Sequence, residues 1–322
     1  MASKPIDGNG IGMEWWAARH PPADPTTSFA GKTILITGAN TGLGFEATMK
    51  FAKLGASRLI FGVRSLSRGE DARARICRQT GYKQDNIQLY ELDMSVFSSV
   101  KTFAETLSKE ESRLDIAILN AGIVMPSYQT SAEGYEMDLQ VNALSTALLG
   151  ALILPQLRKS ALASNSQTHL EFVSSIAGRS ASLDSFPEKT KVLDQANKAS
   201  LFDARNQYAV SKLCLYTVVD GLVQATSSWN SDQGGPDVII NSVCPGPCRT
   251  TLAREMPAWI RSVIAVYQYY LARTAEEGSR TLVSGAALGT ESHGKFWCSD
   301  MFCRYVFHTF CFFHLGFQAN SN

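Results

Sequence analysis

Apolar residues along this chain fall into short unbroken runs separated by longer stretches of helical spacing. The run from Lys32 to Thr37 closes on Gly38 as a buried parallel strand would. From Phe45 to Leu54 the apolar positions then recur at helical intervals. The same rhythm returns: Ser57 to Val63, Asn86 to Asp93 and Leu114 to Gly122 read as strands, and another starts near His169 and ends at Ser174-Ser175. Phe296-Trp297 reads as the start of the last strand. The pattern predicts one α/β domain, a doubly wound parallel sheet with helices on both faces, over residues 31–297. A polar extension, 1–30, precedes it and an atypical Phe- and Cys-rich tail, 298–322, follows.

Chemistry-bearing residues cluster where these strands end. The first strand runs into Thr37-Gly38-Ala39-Asn40-Thr41-Gly42-Leu43-Gly44 and then a helix. Glycines let a backbone turn tightly and let a pyrophosphate approach the unpaired N–H groups of a helix N-terminus. The spacing is Gly-xxx-Gly-x-Gly, not Gly-x-Gly-xx-Gly, and by itself it equally suits an ordinary strand-to-helix turn. The second strand ends at Arg64, with Ser65 and Arg68 beyond it. In a doubly wound fold this position meets the adenosine ribose, where an acid binds a free 2′-hydroxyl and a guanidinium suits a 2′-phosphate. Arg64 therefore predicts NADPH over NADH. Asp93 and Asn120-Ala121-Gly122 close the next two strands, as cofactor contacts or as turn residues.

Further along, Tyr208 and Lys212 stand four apart, one above the other on a predicted helix. An ammonium beside a phenol favours the phenolate. An ordinary tyrosine titrates near pH ~10, and a proton-transfer catalyst works best with a pKa closer to the working pH.

As an ordered set these residues resemble the short-chain dehydrogenase/reductase family. The matching positions are Thr37-Gly38-(x)3-Gly42-Leu43-Gly44, Asp93, Asn120-Ala121-Gly122, Asn142, Ser175, Tyr208-(x)3-Lys212 and Pro245-Gly246-(x)3-Thr250. The members most similar in feel are the retinol-dehydrogenase-like and fungal secondary-metabolism ones. The resemblance implies a Rossmann-type fold and NADP(H)-linked interconversion of a ketone and a secondary alcohol on a hydrophobic small molecule. It implies Tyr208 as proton donor or acceptor, Lys212 lowering its pKa and holding the nicotinamide ribose, and Ser175 polarising the carbonyl. Asn142 would hold a water linked to Lys212, and Thr250 would hold the carboxamide. The cofactor would rest on Gly38, Asn40, Thr41, Gly42, Leu43, Gly44, Arg64, Asp93, Asn120, Tyr208, Lys212 and Thr250. Ser175 is preferred to Ser174 because Gly178 completes a Ser-x-x-Gly pattern. A nucleotide-binding regulator without turnover, and an epimerase or dehydratase sharing Tyr-xxx-Lys, are the alternatives.

Composition narrows the rest. A net charge of +1 and no Lys/Arg-rich tract give no reason to expect nucleic acid or an acidic membrane surface as partner. Seven scattered cysteines without a secretory signal predict free thiols in a cytoplasmic protein, and their spacing predicts no metal site. Oligomeric state is left open, with a homo-oligomer among the options. Trp15-Trp16 is expected to pack on the domain or near the cofactor cleft. Ser175 and Tyr208 are 33 residues apart, and the intervening polar segment, Ser180 to Phe202, is expected as a surface excursion shaping the pocket mouth. Thr251 to Leu271 is expected to form helices, either a lid packed on the core or an apolar binding wall built from Met256, Pro257, Trp259, Val263, Val266, Tyr267 and Tyr270. The run Tyr305 to Phe317 is too short to span a bilayer and reads as an altered terminus, with an anchor or dimer contact as the alternative.

Overall fold

The computed structural model describes residues 11–303 apart from 232–233, 251, 253 and 254. The expectations for residues 304–322, and for Thr251, lie outside the described residues. After a first helix, α1 (Ile11–Arg19), the strand–helix alternation appears as read: β1 (Thr33–Thr37), α2 (Gly42–Lys53), β2 (Arg58–Val63), α3 (Leu66–Thr80), β3 (Ile87–Glu91), α4 (Phe97–Glu110) and β4 (Ile116–Leu119). A short turn, α5 (Met137–Leu139), passes through one π-helical turn, Gln140–Leu144, into α6 (Ser145–Ser164), which leads to β5 (Thr168–Val173). Then come α7 (Val192–Ala196), α8 (Gln207–Ala225), a small ribbon of β6 (Asn230–Ser231) and β7 (Gly235–Pro236), and β8 (Val238–Cys244). The described chain closes with α9 (Ala258–Leu271), α10 (Ala275–Gly285), β9 (Phe296–Cys298) and β10 (Met301–Cys303).

Eight strands form one sheet in the order β10-β9-β8-β5-β4-β1-β2-β3, parallel except for β10. Strand side chains alternate between faces, so β1 sends Ile34 and Ile36 to one side and Leu35 to the other. On the first side lie Phe45 and Phe51 of α2, Ile76 of α3 and Leu282 and Val283 of α10. On the second lie Phe103 of α4, Leu149 and Ile153 of α6, and Leu215 and Val219 of α8. Strands covered on both faces need apolar residues at successive positions, which explains the unbroken runs. Among the described residues, Met137–Ser164 is the one stretch long and apolar enough to cross a membrane, and 67% of its most apolar window is buried in the core.

Three expectations need correction. The segment after Ser180 is not merely a polar excursion: Leu183, Phe186 and Ala196 bury themselves against Leu139 and Val210 as a separate small cluster. The sheet does not end at Trp297, since β9 turns at Ser299 and Asp300, both at positive φ, and returns as β10. Finally, the cysteines are not all free. Cys298 and Cys303, brought to opposite strands by that hairpin, are disulfide-bonded, while Cys77, Cys214, Cys244 and Cys248 carry free thiols.

Candidate active site

Strand order reverses between β1 and β4, and the loops after those two strands face each other there. At such a switch point a crevice opens beyond the carboxyl ends of the strands. The two loops are tied together: Asn120 Nδ2 donates to the Thr37 carbonyl at 2.9 Å, and Thr37 Oγ1 accepts from the Asn120 and Ala121 amides at 2.9 Å each. Gly38 and Gly42 take left-handed φ values of 71° and 57°, which an L side chain resists. A cavity of about 1100 Å³ occupies the crevice. Its wall includes Gly38, Asn40, Thr41, Gly42, Leu43, Arg64, Asp93 and Asn120 at one end and Ser175, Tyr208, Lys212 and Thr250 at the other. Gly44 and Asn142, also expected in the site, stand behind the wall. A Cβ on Gly44 would lie 2.6 Å from Asn120 Nδ2 and from the Gly38 carbonyl, so this glycine permits the close approach of the two loops.

Tyr208 and Lys212 project from the first turns of α8. Lys212 Nζ lies 5.7 Å from the Tyr208 ring centroid and donates to the Val173 carbonyl at 2.9 Å. The Ser175 hydroxyl lies close enough to the phenol to favour its ionised form. Ser175 also caps the short turn Ile176–Ser180, accepting from the Ala177 amide at 3.2 Å, while Ser174 Oγ has no partner among the described residues. Gly178 explains the spacing: a Cβ there would lie 2.7 Å from the Tyr216 ring and 3.1 Å from the backbone of α8. Its absence lets the serine turn press onto the helix that carries Tyr208. Asn142 is placed by the π turn. Its Oδ1 accepts from the Ile123 amide at 2.9 Å, and its Nδ2 donates to the Ile123 carbonyl and Ser211 Oγ at 2.9 and 3.1 Å.

The electrostatics depart from the expected depression of the tyrosine pKa. Burial pushes the Tyr208 phenol up, the neighbouring Cys244 adds to this, and the nearby Ser175 hydroxyl acts the other way. Burial also brings Lys212 down to about 8. The cause is desolvation, which penalises whichever form is charged, and the ammonium spends a hydrogen bond on Val173. In the protein alone Tyr208 is therefore a neutral phenol.

Residues that sequence reasoning missed surround this site. Asp138 and Glu136 are fully buried carboxyls; Asp138 accepts from the Met125 amide at 3.1 Å and is raised to about 8, chiefly by burial and then by Glu136. Its position four residues before Asn142 was the available signal. Arg273 had none. It is fully buried and donates to the carbonyls of Ala17, His20 and Pro245 and to Ser299 Oγ, tying α1, the Pro245-Gly246 loop and the β9–β10 turn together. The α9 expectation also changes. Ile264, Tyr267 and Gln268 line the cavity, while Trp259, Val263, Val266 and Tyr270 point outward. Of the segment between Ser175 and Tyr208, only Ile176, Ala177, Ser180 and Arg205 border the cavity. Trp16 stacks on His20 at 4.4 Å between ring centroids, but Trp15 stays largely exposed.

Comparison with known proteins agrees with this architecture. Residues 32–185 match the family model described as short chain dehydrogenase. The chain is 44% identical over 286 residues to the short-chain dehydrogenase/reductase ffsI of Aspergillus flavipes, covering 89% of this chain and 82% of that one. With phmF of Phaeosphaeria nodorum, of the same description, it shares 46% over 281 residues, 87% and 81% of the two chains. Among solved structures, a short-chain type dehydrogenase/reductase from Mycobacterium marinum superposes with a TM-score of 0.63 at 20% identity, covering 84% and 94%. A short-chain dehydrogenase from Sphingobium yanoikuyae in complex with NADPH does so at 0.57 and 21%, covering 79% and 83%. The chain belongs to the short-chain dehydrogenase/reductase family.

Proposed function

We propose that this protein is an NADPH-dependent oxidoreductase interconverting a ketone and a secondary alcohol on a hydrophobic small molecule, an intermediate of secondary metabolism. The observation that carries the reading is the meeting of Ser175, Tyr208 and Lys212 at one end of a cavity whose other end is the glycine turn and Arg64. The residues fit a dinucleotide. The left-handed glycines bring bare backbone to the cavity at the start of α2, and Arg64 and Arg68 line it with no carboxylate partner among the described residues. The solved relative that holds NADPH supports the same cofactor.

In this reading Gly38 to Leu43 would cradle the pyrophosphate, Arg64 and Arg68 a 2′-phosphate, and Asp93 the adenine. Lys212 would hold the nicotinamide ribose, and Thr250 the carboxamide. The bound nicotinamide would supply or accept the hydride. The protein's share is orientation and a proton. Ser175 Oγ hydrogen-bonds the substrate oxygen, and neutral Tyr208 gives that oxygen its proton as negative charge develops there. The Lys212 ammonium stabilises the phenolate left behind, and Asn142 Oδ1 and Ser211 steady the loop and helix behind it. In the oxidative direction the same phenolate takes the proton back.

The test is fluorescence titration of the purified chain with NADPH and NADH, beside Arg64→Ala and Tyr208→Phe, followed by a panel of apolar ketones. NADPH should bind much more tightly than NADH. Arg64→Ala should erase most of that preference, and Tyr208→Phe should abolish turnover while sparing cofactor binding. Substantial turnover by Tyr208→Phe would remove Tyr208 from its role. NADPH binding without turnover on any ketone would favour a regulator.

A further inference from the structure

The outward face of α9 plays no part in the proposed chemistry. Trp259, Val263, Val266 and Tyr270 follow one another at intervals of four, three and four residues and so form one stripe along the helix. They are 71%, 63%, 61% and 64% exposed. The inward stripe of Ile260, Ile264, Gln268 and Leu271 is half-buried, so α9 is apolar on two sides. Nothing among the described residues covers the outer one. A 4-3-4 apolar repeat is the seam by which one helix packs into another.

The stripe is also self-complementary. Its order of sizes is large, small, small, large, and it reads the same from either end. Two copies of α9 laid antiparallel about a twofold axis between Val263 and Val266 set Val263 against the partner's Val266 and Trp259 against the partner's Tyr270. That is the arrangement an isologous contact requires. The one charge on α9, Arg261, lies off the stripe, so pairing buries no unpaired ion. With Tyr269 at its flank, and leaving out the third of each side chain already covered in the monomer, the face offers roughly 450–700 Å² per copy, taking ~150–250 Å² for each large aromatic side chain, the size of a small, concentration-dependent interface. A stable interface buries about 800 Å² per partner. A lipid surface suits the helix less well. Helices that lie in a bilayer interface carry Lys and Arg along a polar face, and α9 has a single Arg and no Lys.

We infer that α9 is a dimerisation helix, through which two copies of this chain pair antiparallel along Trp259, Val263, Val266 and Tyr270. Because Ile264, Tyr267 and Gln268 of the same helix line the cavity, each copy then braces the outer wall of its partner's site.

Sedimentation velocity of the full chain over about 1–100 µM, where a weak dimer dissociates, tests this without any substrate. The wild type should be a dimer at the upper end. Val263→Asp and Val266→Asp should each be monomeric, with the circular dichroism of the wild type showing that they fold. Register is tested by cysteine pairs: a mixture of Trp259→Cys and Tyr270→Cys chains should cross-link on oxidation, and Trp259→Cys alone should not. A wild-type monomer throughout the range overturns the inference, as does a dimer that survives both aspartates. Efficient cross-linking of Trp259→Cys alone overturns the antiparallel pairing. Binding of a monomeric wild type to phosphatidylserine vesicles assigns the face to lipid and overturns it equally.

Discussion

Helices α9 and α10 follow each other with three residues between them, yet they sit in opposite environments. α9 is the more apolar of the two and buries none of its side chains; α10, with Glu276, Glu277 and Arg280, buries six residues against the sheet and α2. The difference lies in periodicity and caps. α10 concentrates its small and apolar residues on one face and begins with a capping box, Thr274 Oγ1 accepting from the Glu277 amide at 3.1 Å while Glu277 Oε2 accepts from the Thr274 amide at 2.8 Å. α9 spreads its apolar residues over two stripes and can satisfy only one of them within its own domain. Hydrophobicity tells a helix that it wants cover; its pattern says from how many sides.

Four measurements sharpen that contrast, beginning with the largest expected effect. Behind α10 the sheet carries two buried titratable groups. His169 meets Asn241 at 3.2 Å, with His293 and Lys32 as further positive neighbours, and burial holds its pKa at about 3. The carboxyl of Glu171 is raised well above its ordinary range by burial alone. For His169 the unfolded chain binds the extra proton between pH ~6.5 and about 3, so stability falls as pH drops through that window, by on the order of 4 kcal/mol at the limit. Glu171 has the opposite sign: its folded form keeps a proton that the unfolded chain releases above pH ~4.5, so stability falls as pH rises. Denaturation midpoints across pH should therefore lose part of their acid limb in His169→Asn and part of their alkaline limb in Glu171→Gln. Unchanged profiles would mean that neither group is as dry as its burial implies.

Next in size is Gly285→Ala. A Cβ at this position would stand 2.4 Å from a Glu171 oxygen and 2.5 Å from Val243 Cγ1. The overpacking should cost about 1–3 kcal/mol in urea denaturation, and no loss would show that α10 slides freely on β5 and β8. Thr274→Ala should then cost about 1 kcal/mol through its lost cap. Val263→Ala on α9, measured at high dilution, should stay within about 0.5 kcal/mol. A larger cost there would show that α9 is packed against something even in the monomer.

The half of the molecule that resembles α10 was the legible half. Strands buried on both faces write their position as unbroken apolar runs, and the glycine and polar residues that end them, Gly38, Arg64, Asp93 and Asn120, therefore declared themselves by place. Tyr208 and Lys212 were found because four residues is close to one helical turn. What escaped depends on distant partners. Leu183 and Phe186 lie in a polar stretch with Pro187 and three lysines and acquire a core only when Leu139 and Val210 arrive from elsewhere. Cys298 and Cys303 pair because of a hairpin turn at Ser299-Asp300 that contains no glycine. Arg273 has four oxygen partners, the farthest 256 residues away. The raised Tyr208 pKa follows from burial, which no i, i+4 spacing reveals.

The π turn at Gln140–Leu144 has a consequence for how this chain can change over time. Such a turn is an α-helix holding one residue too many. Each residue advances a helix by about 100°, so the surplus sets the phase of Asn142, which meets Ile123 and Ser211, independently of α6, whose Leu149 and Ile153 face the sheet. Deleting any single residue between 140 and 144 would cancel the offset, and one of the two faces would have to turn away. Substitutions here can be weighed one side chain at a time. The count of residues cannot drift, so in a lineage of such chains this stretch should hold its length even more strictly than its spelling.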